Sequence, residues 1–307
     1  MRDVPFPLYR MHEIERRPKD FRLLERVPFC SIIENPRIGL PVCLNEIAGD
    51  EVSLVILDTE TTGFDAAANE MIEIGIVRCS YSPSHGVVTS IDDIYSGLES
   101  PTIAPIPADI TAITGITNED VEGCSFDDDR VHSLLVDGDP LVIAHHAGFD
   151  RPFVENRFKG VEHCRWVCSI KDIDWKARGF ESNKLEYLLL NTGYFYHGHR
   201  ATTDCLAVLW LLAENPSALD DALAASIRLT CVVRAFGAPF EIKDSLKNTD
   251  FTWDDGSTNH PKHWWKSVSE TELDDLREWL NSLSGYSAEK AEYTSLTARQ
   301  RYKQNPA

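Results

Sequence analysis

The apolar positions of this chain fall into short runs separated by polar segments, which is the pattern of alternating strands and helices. Runs of apolar and β-branched residues predict four strands, at 52–58, 71–79, about 87–97 and 141–144. Helical spacing and helix-start residues predict helices around them, at 105–113, from 117 onwards, and at 127–135, 183–190, 204–213 and 218–236. This order predicts an α/β fold, in which a mixed sheet is flanked by helices.

The first fifty residues carry a different pattern. Residues 1–50 interleave basic and acidic side chains, and their prolines interrupt any long helix. We expect an arm with one short helix near Asp20–Arg26. Four apolar residues could pack this arm onto the neighbouring domain: Leu23, Leu24, Val27 and Phe29. The pattern fits a packed extension better than an arm that docks a partner or a nucleic acid.

The pattern changes again after residue 216. Residues 217–236 predict a connecting helix, and residues 237–286 predict a small, tryptophan-rich α+β module. Within this module we expect a β-hairpin and then a helix from Ser269, with Glu272 completing a capping box. Its interleaved lysines and tryptophans could stack on a nucleic-acid strand, but its equal number of acids favours packing or docking. Residues 287–307 are polar and predict a flexible tail.

Composition limits the class of protein. A length of 307 residues suggests about two domains, and 43% apolar residues are ample for a core. No apolar run is long enough for a membrane span, and the N-terminus shows no apolar signal segment. The eight scattered cysteines predict reduced thiols and a cytoplasmic protein. A zinc site at Cys164 and Cys168 would lack a second ligand pair.

Two acidic residues, Asp58 and Glu60, close the first predicted strand. Residues i and i+2 of a strand face the same side, so these two carboxylates point together and repel each other. A hard divalent cation such as Mg²⁺ or Mn²⁺ would relieve the repulsion, although a bare Asp-x-Glu pair is more often a solvated strand end. The following turn, Thr61 to Gly63, exposes backbone N–H groups that a ligand can approach closely.

A second apolar strand leads into another group of polar residues. The strand at 141–144 is followed by His145, His146 and then Asp150. We expect Asp150 at or just before a helix start, because Pro152 suits the first turn of a helix.

His199 and Asp204 precede a helix that is apolar on nearly every side. They are five residues apart, which corresponds to about 140° around an ideal helix. The two side chains therefore cannot share a helix face. We expect His199 on the loop before the helix and Asp204 in its first turn.

Five residues follow one another in this order, each at the end of an apolar element: Asp58, Glu60, Asp150, His199 and Asp204. The set resembles the three motifs of the DEDDh (DnaQ-like) 3′–5′ exonuclease superfamily, and stand-alone bacterial relatives of the DNA polymerase III epsilon subunit in particular. The resemblance covers roughly residues 52–213, including supporting runs at 71–75 and 113–117. It implies a ribonuclease H-like fold and an exonuclease domain at 51–216.

The resemblance implies two-metal hydrolysis of phosphodiester bonds, with release of nucleoside 5′-monophosphates. By this resemblance Asp58, Glu60 and Asp204 hold one Mg²⁺ or Mn²⁺ ion. Asp58 also bridges to a second ion, which Asp150 holds partly through water. His199 is implied as the general base for the attacking water, since an imidazole can take a proton near neutral pH.

The resemblance also implies that several residues hold the terminal nucleotide. We expect seven substrate contacts: Thr61, Thr62, Gly63, Phe64, His146, Phe149 and Arg200. A structural role for Arg200 is equally compatible with the sequence. His146 stands where the family usually has Asn. A neutral histidine can mimic the donor and acceptor of Asn, whereas a protonated one would repel metal, so we expect tuned rather than abolished activity.

The formal charge of −19 opposes tight binding to phosphates, so we expect weak, local recognition of a strand end. The expected substrate is a single-stranded or frayed 3′ end of DNA, with RNA 3′ ends as an alternative. DNA polymerase or repair proteins are candidate partners. We expect no clamp-binding peptide, because the only glutamines, Gln300 and Gln304, precede no apolar-aromatic pair. The other alternative is a docking protein with vestigial nuclease activity.

Overall fold

The structure, a computed structural model, describes residues 7–35, 37–256 and 260–304. The ends of the predicted arm and tail, at 1–6 and 305–307, lie outside these residues. The described residues form twelve strands: β1 (Glu25–Arg26), β2 (Val42–Cys43), β3 (Val52–Thr61), β4 (Met71–Ser82), β5 (Val87–Leu98), β6 (Leu141–Ala144), β7 (Arg165–Cys168), β8 (Tyr194–Phe195), β9 (Thr230–Phe236), β10 (Thr252–Asp254), β11 (His263–Ser269) and β12 (Ala291–Leu296).

The same residues form eleven α-helices: α1 (Met11–Arg16), α2 (Cys30–Glu34), α3 (Ala108–Thr114), α4 (Asn118–Val121), α5 (Asp128–Val136), α6 (Ala147–Arg157), α7 (Leu185–Thr192), α8 (Ala201–Ala213), α9 (Pro216–Ile227), α10 (Lys243–Asn248) and α11 (Leu273–Ser282). Among these described helices, none combines the length and the apolar character that a bilayer crossing requires.

Strands β2 to β7 form one six-stranded sheet in the order β2-β5-β4-β3-β6-β7. Strands β5, β4 and β3 are an antiparallel meander, and β6 and β7 continue the sheet parallel to β3. Leu54 and Ile56 pack with α8 and α9 on one face, while Val55 and Leu57 pack with α5 and α6 on the other. Because both faces are covered, β3 is apolar without alternation. This confirms the predicted ribonuclease H-like mixed sheet flanked by helices.

The N-terminal arm packs against the main domain, but its helix lies elsewhere than predicted. A 3₁₀ turn at Pro18–Asp20 reaches only the first residue of the predicted range, residues 21–26 contain no helix, and the first α-helix, α1, lies further towards the N-terminus. Strand β1 instead pairs in parallel with β8, because Glu25 N and Val27 N donate to Gly193 O and Phe195 O, both at 2.9 Å. Two of the four apolar residues expected to pack are buried: Val27 and Phe29. The conformation of this segment is therefore set by pairing with a strand that is distant in sequence, and local sequence patterns do not reveal such a partner.

The predicted connecting helix over 217–236 is wrong in its second half. Helix α9 ends at Ile227, and residues 230–236 form an inner strand of a second sheet, with the order β10-β11-β9-β12. This strand contains the run Thr-Cys-Val-Val, whose β-branched side chains suit a strand paired on both sides. Helix α11 covers one face of the sheet. The predicted hairpin is confirmed, as is the capping box of Ser269 and Glu272.

The predicted flexible tail over 287–307 is also wrong for residues 287–304, which the structure describes. Strand β12 pairs antiparallel with β9 along its whole length. The chain then returns to the main domain, where Trp166 N donates to Ala298 O at 2.9 Å and Arg299 pairs with Asp139 at 2.8 Å. These contacts use main-chain and charged groups, so the polar composition of the segment does not reveal them.

Candidate active site

Asp58 and Glu60 lie within β3, which continues to Thr61, three residues beyond the predicted end of the strand. Pairing with β4 places Asp58 opposite Gly75 and Glu60 opposite Glu73. Thr59, between the two acids, is buried and points to the other face of the sheet. The structure thus brings the two carboxylates together on one face, as the strand periodicity predicts.

Helix α8 brings Asp204 to the same place. A Cβ on Gly75 would lie only 2.4 Å from backbone atoms of Ala201, so the glycine allows the start of the helix to lie against the sheet. As predicted, Asp204 stands in the first turn of this helix. Carboxylate oxygens of Asp58, Glu60 and Asp204 all lie within 4.8 Å of one another.

Asp150 stands in the first turn of α6 and is only 1% exposed. Its Oδ1 accepts a hydrogen bond from Thr59 Oγ1 at 2.9 Å, whereas its Oδ2 is buried without a partner among the described residues. The helix begins earlier than expected, at Ala147, so Pro152 lies inside it rather than in its first turn. An unpaired buried carboxylate oxygen is costly, which favours a ligand at this position.

Burial raises the pKa of every carboxyl group in this cluster. It raises the pKa of Glu60 to about 8, and the charge of Asp204 adds to the effect. It raises the pKa of Asp150 to about 7 and the pKa of Asp204 to about 6, although hydrogen bonds to both groups oppose the shift. Burial, followed by Asp204 and Asp150, holds the pKa of Asp58 well above its ordinary value. Four acids held this close resist ionising together.

This set of donors fits hard divalent cations. Carboxylate oxygens are the ligands that such ions prefer, and their charge would offset the repulsion that raises these pKa values. Asp58, Glu60 and Asp204 would hold one cation. The unpaired Oδ2 of Asp150 would contribute to a second.

His199 stands on the exposed loop between β8 and α8, as predicted. Its φ of +68° lies in the left-handed region, which costs a non-glycine residue about 1–2 kcal/mol. The next two residues are fixed by Glu73: Arg200 Nη2 donates to Glu73 Oε1 and Ala201 N donates to Glu73 Oε2, each at 3.0 Å. The backbone beside His199 is therefore anchored, while its imidazole faces solvent.

Two residues of the site were not assigned from the sequence. Glu73 is 1% exposed, and its ion pair with Arg200 gives that arginine a structural role. Tyr196 Oη donates to Asp204 Oδ1 at 3.0 Å. The sequence did mark Glu73 in one way, because it is the single acid within the apolar run at 71–75. Nothing in the sequence distinguishes the hydrogen bond of Tyr196 from ordinary core packing.

Aromatic side chains form a surface beside Asp150. His146, the N-cap residue of α6, stacks on Phe149 with ring centroids 6.1 Å apart and an interplanar angle of 7°. Phe64 meets Phe149 edge-on at 6.4 Å and is 83% exposed. Burial, with a contribution from Lys171, lowers the pKa of His146 and so favours its neutral imidazole. Such a surface is suited to stacking on a base.

The turn after β3 is partly closed by its own hydrogen bonds. Thr61 Oγ1 donates to Gly63 O at 2.6 Å. Thr62 N donates to Glu70 O at 2.8 Å, and Thr62 Oγ1 accepts from Glu70 N at 3.0 Å. The amide of Thr62 is therefore engaged within the protein and is not one of the N–H groups that the turn offers to a ligand.

A mixed sheet, four converging carboxylates and a loop histidine define a nuclease of the DEDDh type. The model of an exonuclease family, RNase_T, matches residues 55–212, about half of the chain. The chain belongs to this exonuclease family.

Curated relatives of the chain include two DNA polymerases III of the PolC type. The one from Thermotoga maritima is 31% identical over 141 residues, which are 46% of this chain and 9% of the relative. The one from Listeria innocua is 28% identical over 198 residues, which are 60% of this chain and 13% of the relative. The chain thus spans about a tenth of the length of these relatives.

Solved structures similar to the chain include two exonucleases. Exonuclease X in complex with 5′ overhanging duplex DNA is 23% identical, with a TM-score of 0.40 over 54% of this chain and 91% of that one. E. coli Exonuclease I in complex with a 5cy-dT13 oligonucleotide is 15% identical, with a TM-score of 0.47 over 71% of this chain and 63% of that one. Similarities this distant do not transfer the function of those proteins.

Proposed function

We propose that the chain is a metal-dependent 3′–5′ exonuclease that hydrolyses phosphodiester bonds at the 3′ end of DNA and releases nucleoside 5′-monophosphates. The observation that carries this proposal is a set of carboxylates, at Asp58, Glu60 and Asp204, that share one potential cation site. Asp150 with its unpaired oxygen and the loop residue His199 lie around that set. The names of the curated relatives, DNA polymerases, support DNA rather than RNA as the substrate.

The cations would be Mg²⁺ or Mn²⁺, and when bound they would stabilise charge on the attacking and leaving oxygens of the displacement. The chain itself contributes fixed positions. Strand β3 holds Asp58 and Glu60 through its pairing with β4, and the close approach at Gly75 holds Asp204 against them. Tyr196 Oη fixes the orientation of the Asp204 carboxylate.

His199 would accept a proton from the attacking water on an imidazole nitrogen. Its exposed side chain can reach a solvent molecule at the site, while Glu73 holds the backbone immediately after it. The terminal base would stack on the surface formed by Phe64, Phe149 and His146.

The acidic character of the chain favours a short footprint on the substrate. With a formal charge of −19, a long contact with phosphates would be repelled. We therefore infer recognition of a single-stranded or frayed end, with weak binding and ready release.

Polymerase or repair proteins remain the partners that we propose, without a clamp-binding peptide. A cytoplasmic location is supported by the eight cysteines, all of them free thiols.

The test is a time course with 5′-labelled single-stranded DNA and RNA of matched sequence, in Mn²⁺, Mg²⁺ or EDTA. We expect a ladder that shortens from the 3′ end, requires metal and forms faster on DNA. An oligonucleotide with phosphorothioate linkages at its 3′ end is the control for polarity and should resist cleavage. A ladder on RNA alone would replace DNA as the substrate, and no ladder with any metal would overturn the proposal.

A further inference from the structure

Asp150 depends on a helix whose first turn lacks part of its own support. Pro152 lies inside α6 and has no N–H. The carbonyl of Gly148, four residues earlier, therefore lacks the backbone donor that it would have in a regular helix. A proline inside a helix costs about 3 kcal/mol or more. The side chain of Asp150 is tied to the sheet by one hydrogen bond, from Thr59. Contacts from outside α6 must therefore help to fix this turn.

The residue next to Asp150 provides such contacts. The side chain of Arg151 is 0% exposed, and its guanidinium reaches the segment that follows β12. Nη1 donates to Ala298 O at 3.2 Å and to Arg301 O at 2.7 Å. Nη2 donates to Arg299 O at 2.7 Å. The C-terminal segment thus supplies three carbonyl acceptors to one buried cation.

A buried guanidinium needs all of its acceptors. Its remaining partners are Glu155 Oε1, 2.6 Å from Nε, and Glu162 O, 3.2 Å from Nη2. Removing partners from a buried charge is strongly destabilising, because the charge is left uncompensated. The segment 298–301 therefore cannot leave Arg151 without disturbing the turn that Arg151 shares with Asp150.

The same segment is fixed to the main domain at further points. Ala298 O accepts a second hydrogen bond, from Trp166 N in β7, at 2.9 Å. Tyr302 Oη donates to Asp172 Oδ2 at 2.7 Å. The ring of Tyr302 lies over the first turn of α6, 3.9 Å from the position of a Cβ built on Gly148. The segment thus spans from β7 to the start of α6.

We propose that Arg151 and the segment 297–302 are positioning elements of the active site, which hold the first turn of α6 and thereby keep Asp150 in place for a divalent cation. This inference rests on the proposed function, because it concerns the ligand of the second cation. Strand β12 delivers the segment, so the C-terminal module is connected to the site by an ordered stretch of chain.

The test measures Mn²⁺ binding by calorimetry and hydrogen exchange in the full-length protein, without a nuclease assay. Arg151→Met removes the guanidinium and keeps an apolar stem. We expect Mn²⁺ affinity to fall about 10- to 100-fold, the usual loss when a residue behind a ligand is changed. We also expect faster exchange in α6 but not in α8. Arg130→Ala is the matched control, because it removes a partly exposed ion pair with Asp93 outside the segment 297–302 and should leave Mn²⁺ affinity and α6 exchange unchanged.

A double variant separates positioning from a general loss of structure. In an Asp150→Asn background, Arg151→Met should cause no further loss of Mn²⁺ affinity, whereas a purely structural role would lower the affinity again. If Arg151→Met does not fold, Arg151→Lys keeps the charge without the fork and should weaken binding to a smaller extent.

Wild-type Mn²⁺ affinity and α6 exchange in Arg151→Met, or in Arg151→Lys if that variant replaces it, would overturn the inference. A further loss of affinity in the Asp150→Asn background would do the same. Because none of these readouts uses cleavage, a protein that binds Mn²⁺ normally and degrades no nucleic acid would contradict the proposed function alone.

Discussion

Asp58 and Glu60 stand inside a strand that is paired with β4 along its length, whereas His199 stands on an exposed loop. Backbone pairing fixes the two carboxylates at a constant spacing, and burial raises the pKa of each. Metal ligands need such fixed spacing, since the ion contacts several of them at once. A general base must instead reach the proton of an attacking water. We therefore expect changes on the strand to abolish metal binding and changes on the loop to affect rate alone.

The largest effect should come from Asp58→Ala. This change removes a ligand from the shared cation site, so we expect nuclease activity to fall by at least ~10⁴-fold, beyond the usual loss of a general base. The fold should survive, because the deletion relieves repulsion within a buried cluster. Activity on labelled DNA, Mn²⁺ titration and circular dichroism measure the three effects.

The matched control is Asp109→Ala, which removes an exposed acid from the start of α3. It should leave activity and Mn²⁺ binding unchanged. Normal Mn²⁺ affinity in Asp58→Ala would show that the strand does not supply metal ligands. The contrast between a metal-binding strand and a loop that affects only the rate would then be lost.

A smaller effect is expected for His199→Asn. Loss of the general base should lower kcat by about 10²- to 10⁴-fold, with Mn²⁺ affinity close to that of the wild type. His197→Asn, two residues away on the same exposed loop, is the control and should be nearly silent. If His199→Asn loses Mn²⁺ binding, the histidine is a metal ligand, and the loop then shares the metal-binding role that we assign to the strand.

The strand side of the site could be predicted from the sequence because its information is local. The period of two within β3 puts Asp58 and Glu60 on one face, and the apolar helix after Asp204 places that acid in a first turn. The loop position of His199 follows from its spacing to Asp204 on a helix of ordinary pitch.

Other contacts could not be predicted because their partners are distant in sequence. Strand β9 is held between β11 and β12, so its pairing is fixed by residues tens of positions further along the chain. Arg151 is satisfied largely by main-chain carbonyls, and every residue has one. The sequence at 297–302 therefore carries no mark of the contacts that it makes.

Gly75→Ala should disturb the rigid side without removing a ligand. The new Cβ would lie 2.4 Å from Ala201 backbone atoms, so α8 must shift and carry Asp204 with it. We expect a loss of kcat of up to ~10²-fold, as for a displacement of about 1 Å, and destabilisation by about 1–3 kcal/mol. Gly39→Ala is the control, because a Cβ there meets no atom within 4 Å. Wild-type kcat in Gly75→Ala would mean that this close approach does not set the position of Asp204.

The smallest expected effect is a pH dependence of stability in the metal-free protein. Burial raises the pKa of Glu60 to about 8 and the pKa of Asp150 to about 7, whereas in the unfolded chain both groups titrate near pH ~4. Between these limits the folded protein binds more protons than the unfolded one, so its stability falls as pH rises. In EDTA, Tm should therefore decrease by several degrees from pH 5 to pH 8.5.

Glu60→Gln should make this decrease of Tm with pH smaller. Mn²⁺ should remove most of the decrease, because the cation stabilises the ionised cluster. A Tm that stays level or rises with pH in EDTA would mean that the buried carboxylates are ionised without a cation, and burial would then not be what sets them apart from the exposed loop.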